Sequence, residues 1–339
     1  MKQQILAFAM CSAVVVVVSI PFSSLAQTRS SASKFPGARV ASPQTPTANH
    51  QTKTLGTPSY TYTLLSFPGT LVTYAYGINS GATTSKIAIV GEYDPAVEST
   101  QVGFLTHVLA KKTTTETYQT VNYPHVPPQQ NTSGVNDSGE IVGCYVDGSD
   151  VIHGYERIGG KFTTLDVPFA GATGTCAFGI NNSSEIVGQW LASDGSIFGF
   201  TLIGGTYTSF GYPGSTYTNL IAVNNSGNIA GWYEDAGGVF HGLTLSGGTS
   251  TSFDFPGAVE TFGEGINDAG DIVGVYCTTS QCASTFEGAQ GFALSGSVFT
   301  TIAIPGEVQT VLTSINDNGA ILGYYEDAAG LVASFLATP

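Results

Sequence analysis

The sequence predicts an all-β protein, specifically a six-bladed β-propeller of four-stranded antiparallel blades. One phrase occurs six times: an aromatic strand ended by Pro, an Ile/Val-Asn turn, and a Gly in an apolar run followed by an aromatic residue. A strand-rich repeat of this length is typical of propellers, solenoids and arrays. The 43 glycines and the many Thr, Tyr, Phe, Val and Ile residues disfavour helices. The turn asparagines are 57, 45, 43, 43 and 49 residues apart, at Asn79, Asn136, Asn181, Asn224, Asn267 and Asn316.

Residues 1–58 precede the repeats, and we expect them to lie outside the fold. Lys2, an apolar run over 5–20 and small residues at 24–26 indicate a cleaved secretory signal peptide over 1–26. Residues 27–58 are mainly Ser, Thr, Pro, Gln and Ala, which cannot bury enough apolar surface to offset their ordering entropy. We therefore expect a disordered linker over 27–58, one propeller domain over 59–339, and a secreted protein (extracellular or periplasmic) without a membrane span.

The third copy shows how one repeat forms one blade. Strands are predicted over 174–181, 185–190, 197–202 and 207–212, and turn residues separate them. Four short strands joined by tight turns make an antiparallel meander.

The last repeat is incomplete, and the start of the domain contains what it lacks. The sixth copy stops after its third strand, near 334–336, whereas 62–69 has the aromatic, Pro and Gly of a fourth strand. We expect this N-terminal strand to complete the last blade and close a ring of six. Radial closure leaves only short, protected strand edges, whereas an open solenoid would need caps that the sequence does not show.

The turn after each Asn has a physical basis. Four copies place Asn first and Gly fourth, as in Asn136-Asp137-Ser138-Gly139. Asn can bond its own backbone two residues on, and Gly tolerates a positive φ. A calcium loop is the alternative, but the segment is short and lacks a closing Glu.

A Gly and an aromatic residue recur in every second strand. A strand Gly is costly unless another group approaches closely, so we expect tight packing near the axis or between blades. The aromatic two residues on suits the interface between blades, with a ligand-stacking ladder as the alternative. The glycines are Gly91, Gly143, Gly188, Gly231, Gly274 and Gly323, and the aromatics are Tyr93, Tyr145, Trp190, Tyr233, Tyr276 and Tyr325.

The runs Gly-Ile-Asn, Ile-Val-Gly-x-Tyr and His-Gly-Tyr/Phe resemble the HAF family of bacterial extracellular repeats. The matching segments are 134–155, 179–200 and 265–292, and the resemblance extends over nearly all of 59–339. It implies an extracellular protein of propeller-like repeats and no particular activity. Gly stands where the family often has Ala, and the motif His remains only at His153 and His241, which favours a structural role for them.

Charge excludes one class of partner. All 24 acidic residues but only five basic ones lie in 59–339, which gives this domain a net charge of −19. Such a domain repels a phosphate backbone, so we expect no nucleic-acid partner.

Four cysteines remain after signal removal, and an even number in an exported chain favours disulfides. We expect a local bridge between Cys277 and Cys282, and a bridge between neighbouring blades from Cys144 to Cys176. A zinc site is the weaker alternative, because the spacing is not CxxC and no nearby His fits.

One face of the propeller should be acidic. The loops from second to third strands share a face with those from fourth to first strands, and both are rich in Asp and Glu. A solvated rim is the plain interpretation, and a shallow site for sugars or a cation is the sharper one. The candidate ligand-binding residues are Asp94, Asp147, Asp194, Glu234, Asp235, Glu264, Glu326 and Asp327.

The favoured function is a secreted, monomeric, non-catalytic binding propeller without a cofactor, whose partner is a carbohydrate or a cell-envelope protein. A purely structural envelope module is a third interpretation. The alternative is a polysaccharide hydrolase or lyase at the centre of the acidic face. No hydrolase, nucleotide or metalloprotease motif occurs, so its best catalytic candidate is a residue that breaks the repeat. Glu264 does so, because its counterparts are Tyr76, Ser133, Phe178, Ile221 and Thr313.

Overall fold

We analysed a computed structural model of the chain. It describes residues 60–70, 72–81, 86–95, 101–109, 117–127, 129–328 and 332–339. The predicted signal peptide (1–26) and linker (27–58) lie outside the described residues.

Within the described ranges, the strands form antiparallel groups of four, each a meander, and a single parallel bridge between Ile197 and Tyr217 joins the third and fourth groups into one eight-stranded sheet. Strand β1 (Thr61–Leu65) precedes the first sheet, which contains β2 (Val72–Ile78), β3 (Lys86–Asp94), β4 (Val102–Leu109) and β5 (Gln119–Val121). The second contains β6 (Gln130–Val135), β7 (Ile141–Val146), β8 (Ile152–Ile158) and β9 (Lys161–Leu165). The third contains β10 (Ala172–Ile180), β11 (Ile186–Ala192), β12 (Ile197–Ile203) and β13 (Thr206–Phe210). The fourth contains β14 (Tyr217–Val223), β15 (Ile229–Glu234), β16 (Phe240–Ser246) and β17 (Thr249–Phe253). The fifth contains β18 (Glu260–Ile266), β19 (Ile272–Cys277), β20 (Gln290–Ser295) and β21 (Val298–Ile302).

The sixth sheet confirms the predicted strand exchange. It contains β22 (Gln309–Ile315), β23 (Ile321–Glu326), β24 (Val332–Thr338) and, as its fourth strand, β1. Strand β1 pairs antiparallel with β24, in a register that places Thr63 opposite Leu336. The first and the last described strands therefore pair in one sheet.

The sixth sheet also packs against the first. The hydroxyl of Ser334 accepts a hydrogen bond from the Ala75 N–H (2.9 Å) and donates one to the Thr73 carbonyl (2.7 Å). The Thr313 hydroxyl donates to the Ala75 carbonyl (2.9 Å). Buried side chains of both sheets, including Leu65 and Ile89, share one apolar cluster.

The predicted aromatic interface between sheets is confirmed. Tyr233, in the fourth sheet, stacks on Tyr212, which follows the third, with ring centroids 3.6 Å apart. Phe255 stacks in the same way on Tyr276 at 3.7 Å. Tyr233 and Tyr276 are buried, so they hold sheets together and offer no free stacking surface.

The second-strand glycines are required by close approach, but that approach lies inside each sheet. A Cβ added to Gly188 would lie closer than 3.0 Å to the Cys176 carbonyl oxygen, the Ala177 Cα and the Phe200 ring. The other five glycines face the first strand of their own sheet in the same way. The expected packing near the axis or between blades is therefore replaced by contact between first and second strands.

Both predicted disulfides form. Cys144 on β7 is bonded to Cys176 on β10, which links the second and third sheets. Cys277 is bonded to Cys282, at the start of a helix that the sequence did not predict, α1 (Ser280–Thr285). The Thr279 hydroxyl caps this helix by accepting a hydrogen bond from the Cys282 N–H. In the part of the chain that the structure describes, no helix has the length and apolar character needed to cross a bilayer.

The asparagine turns have the predicted geometry and a further role. In the second sheet, Asn136 Oδ1 accepts a hydrogen bond from the Ser138 N–H (3.1 Å), and Gly139 has a φ of +77°. Asn136 Nδ2 also donates to the Asn181 carbonyl of the next sheet (3.1 Å). Asn181 donates to Asn224 in the same manner (3.0 Å), so these turns link adjacent sheets.

Candidate ligand-binding sites on the axis and the loop face

A β-bulge at one aligned position in every first strand creates an axial cavity. The register shifts at this position in each pairing of first and second strands, as between Gly263 and Gly265, and β10 has a second shift between Ala172 and Gly174. A bulge re-aims the extra side chain. Here the six extra residues line one cavity of about 110 Å³, which we call the chamber. They are Tyr76, Ser133, Phe178, Ile221, Glu264 and Thr313.

Glu264 is the one ionisable carboxyl group among the described residues that line the chamber. Its side chain is partly exposed to the cavity, and no described group hydrogen-bonds it. Burial raises the pKa of Glu264 to about 8, because a charged carboxylate is poorly solvated there. The sequence singled out Glu264 by alignment, and the structure places it in the chamber and not among the loop carboxylates.

Tyr76 and Phe178 make part of the chamber wall aromatic. The Tyr76 hydroxyl donates to Oε1 of Glu92 (2.9 Å), and Glu92 is only 1% exposed. Burial and then the Glu92 charge hold the pKa of Tyr76 well above its usual range. The Tyr76 hydroxyl is therefore a neutral donor and not a nucleophile.

Two further layers lie beyond the chamber, toward the asparagine turns. The first is an apolar ring, which we call the collar, formed by Ile78, Val135, Ile180, Val223, Ile266 and Ile315. The second is a smaller polar cavity of about 50 Å³ lined by the turns, which we call the vestibule. Its carboxylates and amides form hydrogen bonds from sheet to sheet, for example from Asn225 Nδ2 to Asp268 Oδ2 (2.8 Å).

Three of the predicted loop-face residues stabilise their own loops. Oδ1 of Asp147, Asp194 and Asp235 accepts the backbone N–H two residues further on, at 2.8 to 2.9 Å. Backbone N–H groups lower the pKa of each of these carboxyls. These aspartates are therefore ionised, and one of their two oxygens is occupied by the loop.

Both repeat histidines lie beside such aspartates. His153 Nδ1 is 2.9 Å from Asp166 Oδ1, and its Nε2 is 3.5 Å from Asp147 Oδ2. His241 has matching contacts with Asp254 and Asp235. Each ring also stacks on the tyrosine of its sheet interface. This arrangement fits the structural role inferred from the sequence.

Two other predicted residues, Asp94 and Glu326, lie together around Tyr74. Burial, followed by the charges of Glu92, Glu326 and Asp94, raises the pKa of Tyr74 to about 12. The Tyr74 ring is half-buried and meets Tyr324 edge-on at 5.1 Å. We call Tyr74, Glu92, Asp94, Tyr324 and Glu326 the Tyr74 cluster. Glu92 was not among the predicted site residues, although its alternation with Asp94 on β3 places both on one face.

Glu234 lies in a second acidic group, beside Glu260. Glu260 is 7% exposed, and its Oε2 has no hydrogen-bond partner among the described residues. Burial and the nearby Glu234 charge raise the pKa of Glu260 to about 7, while His241 opposes the shift. Glu260 lies in a predicted acidic loop but was not selected as a site residue, because nothing in the sequence reveals its burial. The last predicted residue, Asp327, directly follows β23.

The donor groups do not assemble a metal site. Within the described ranges, no set of three or more His, Cys, Asp or Glu side chains could hold a metal ion. The Asn oxygens of the turns that resemble a calcium loop already accept backbone N–H groups.

Solved structures similar to this chain share its fold. The sialidase of Trypanosoma rangeli, in complex with 2,3-difluorosialic acid, matches 79% of this chain and 54% of its own, with 9% identity and a TM-score of 0.53. AofleA of Arthrobotrys oligospora matches 85% of this chain and 89% of its own, with 10% identity and a TM-score of 0.51. The Aleuria aurantia lectin, described as a six-bladed β-propeller, matches 79% of this chain and 93% of its own, with 12% identity and a TM-score of 0.49.

These identities are too low to carry function from one protein to another, so the likeness concerns the fold alone. No protein-family model and no curated protein matches the sequence. The chain is an all-β protein of four-stranded antiparallel sheets with a β-propeller fold.

Proposed function

We propose that the chain is a closed six-bladed propeller that is exported by its signal peptide and binds carbohydrate without cleaving it. The repeated four-stranded groups, the pairing of β1 with β24 and the contacts between the sixth and first groups support closure. Two disulfides suit an oxidising compartment outside the cytosol. Membership of the HAF-like repeat proteins is part of this proposal.

The Tyr74 cluster is the observation that carries the binding proposal. Carboxyl oxygens accept hydrogen bonds, so they suit the adjacent hydroxyl groups of a sugar. A half-buried aromatic ring beside them offers an apolar surface for the C–H face of the same sugar. The surrounding negative charge favours neutral sugars over acidic ones.

A glycan array probed with the chain from residue 27 onward, with and without calcium, tests the proposal. We expect selective binding of neutral glycans without product release. Glu326→Gln should weaken the selected glycan by about 10-fold or more, since a hydrogen bond to a charged group contributes about 1.5–3 kcal/mol. Asp194→Asn, in the corresponding loop of the third sheet, is the matched control and should bind normally. Equal weakening by both variants, or no glycan binding at all, would contradict the proposal.

Glu260 favours a second candidate function, polysaccharide cleavage. A carboxyl group with a pKa of about 7 is protonated often enough at neutral pH to act as a general acid, and the Glu234 charge that helps to raise this pKa belongs to a second carboxyl group. Product release from a polysaccharide, abolished in Glu260→Gln but kept in Asp194→Asn, would favour this function over simple binding.

A further inference from the structure

Glu264 breaks the repeat in the chamber. The five corresponding side chains carry no charge at neutral pH, whereas Glu264 presents a carboxyl group to a cavity lined largely by apolar groups. An ionisable group buried without a partner is costly, so buried charges in proteins are usually paired. No described residue that lines the chamber is basic, so this chain supplies no positive charge there to neutralise an ionised Glu264.

The vestibule determines which ions can approach from the turn side. Asp268 and Asp317 line it, and the adjoining Asp137 accepts hydrogen bonds from Ser80 and Asn182. Burial and the charges of Asp268 and Asp137 raise the pKa of Asp317, which shows that the three carboxyl groups are electrostatically close. Such a ring attracts cations and repels anions.

The collar and the chamber then disfavour metal ions. The collar is entirely aliphatic, and a strongly hydrated ion would have to lose much of its water to pass it. Besides Glu264, the side chains that bring oxygen atoms to the chamber are Tyr76, Ser133, Thr313 and Ser314, and the Tyr76 hydroxyl already donates to Glu92, so few ligands remain to replace that water. An organic cation has no such difficulty, because its carbon atoms can contact the collar.

We propose that the chamber binds a slim primary ammonium group on a short alkyl chain, with the Glu264 carboxylate as its counter-ion. The ammonium group donates to the carboxylate and to hydroxyl oxygens that line the chamber, and Phe178 and Tyr76 form part of the wall around the alkyl chain. A cavity of about 150 Å³ holds benzene, so the chamber of about 110 Å³ has room for about four non-hydrogen atoms. This site is separate from the Tyr74 cluster and does not depend on carbohydrate binding.

Binding of a cation at Glu264 should depend on pH, because the bound cation and the carboxyl proton exclude each other. Because burial keeps Glu264 protonated below a pKa of about 8, a cation must displace that proton. The other titratable groups are Tyr76 from β2, which lines the same chamber, and Tyr324 from β23, whose pKa the Glu264 charge helps to raise; both have raised pKa values and stay neutral. The aspartates at the vestibule are farther along the axis. Affinity should therefore fall about 10-fold for each pH unit below 8.

Isothermal titration of the chain from residue 27 onward with n-propylammonium, between pH 6 and pH 9, tests the proposal. We expect one site per chain, proton release on binding, and affinity that rises with pH up to about 8. Propionate, 1-propanol and Ca²⁺ at equal concentration should give no heat at this site. Glu264→Gln should reduce affinity at pH 8.5 at least 10-fold, whereas Asp194→Asn should leave it unchanged.

A second variant tests, without changing Glu264, whether the ammonium ion enters through the collar and binds in the chamber. Val223→Phe narrows the collar without altering any charge and should slow or abolish propylammonium binding. Binding that is independent of pH, binding retained in Glu264→Gln, or no binding at pH 8.5 would each overturn the proposal. Glycan binding at the Tyr74 cluster would be unaffected by any of these results.

Discussion

Replacing Glu264 by Gln should stabilise the protein, increasingly so at higher pH. In the folded chain burial raises the pKa of Glu264 from 4.5 to about 8. Between these values the unfolded chain releases a proton that the folded chain retains, so the free energy of unfolding falls as pH rises. The stability that protonated Glu264 contributes is complete below pH 4.5 and is lost by pH 8. Gln, which is nearly the same size and cannot ionise, removes this dependence.

The size of the effect follows from the same pKa difference. Each pH unit between 4.5 and 8 costs the wild type about 1.4 kcal/mol relative to the variant, an upper limit of about 5 kcal/mol. Partial exposure of the carboxyl to the chamber reduces this, and we expect about 2–3 kcal/mol at pH 8.5. The other titrating groups, including Glu260, are present in both proteins and cancel in the comparison.

Urea unfolding at pH 5, 7 and 8.5, followed by the fluorescence of buried Trp190 and Trp232, measures the difference directly. Asp194→Asn is the control, because an exposed aspartate with a lowered pKa is ionised in both states throughout this range. Its stability difference from the wild type should be constant above pH 5. A Glu264→Gln difference that is equally independent of pH would refute the assigned burial of this carboxyl.

Three further outcomes follow from the fold. Replacing both cysteines of the disulfide between β7 and β10 by Ser should lower the free energy of unfolding by about 3–4 kcal/mol, and the same change at the disulfide of α1 should lower it by about 2 kcal/mol. The difference arises because the two disulfides join residues that are 32 and 5 positions apart. Equal losses in urea unfolding would contradict this prediction. Gly188→Ala should lower the free energy of unfolding by about 2 kcal/mol or more, because the added methyl group would overlap the backbone of the first strand. Gly148→Ala should lower it by less than about 0.5 kcal/mol, because the added methyl group would meet no other atom. Removing β1 should abolish cooperative unfolding, and a peptide of its sequence added in trans should restore it; a truncated chain that unfolds like the wild type would disprove the role of β1 in closure.

The site residues illustrate what sequence reasoning could and could not supply. Alignment of the repeats found Glu264, because one charged residue stands where five uncharged ones recur. It also selected Asp147 and Asp235, whose carboxylates stabilise loops, because composition alone does not distinguish a loop cap from a ligand group. Glu260 was passed over, since its perturbed pKa comes from burial and from Glu234 on a different sheet.

The sequence by itself determined the strand order, the Asn-x-x-Gly turns, the exchange of β1 into the last sheet and both disulfides. Each can be recognised from the order of residues along the chain: strand formers between turn residues, a Gly that accepts a positive φ, or a last repeat whose fourth strand is present at the start of the domain. Only the tertiary structure decided that the bulge residues form a chamber, that an aliphatic ring closes it toward the turns, and that burial raises the pKa values of Glu264 and Glu260. Those properties arise from side chains contributed by several sheets, and a carboxyl group's solvation depends on the neighbours that folding places around it.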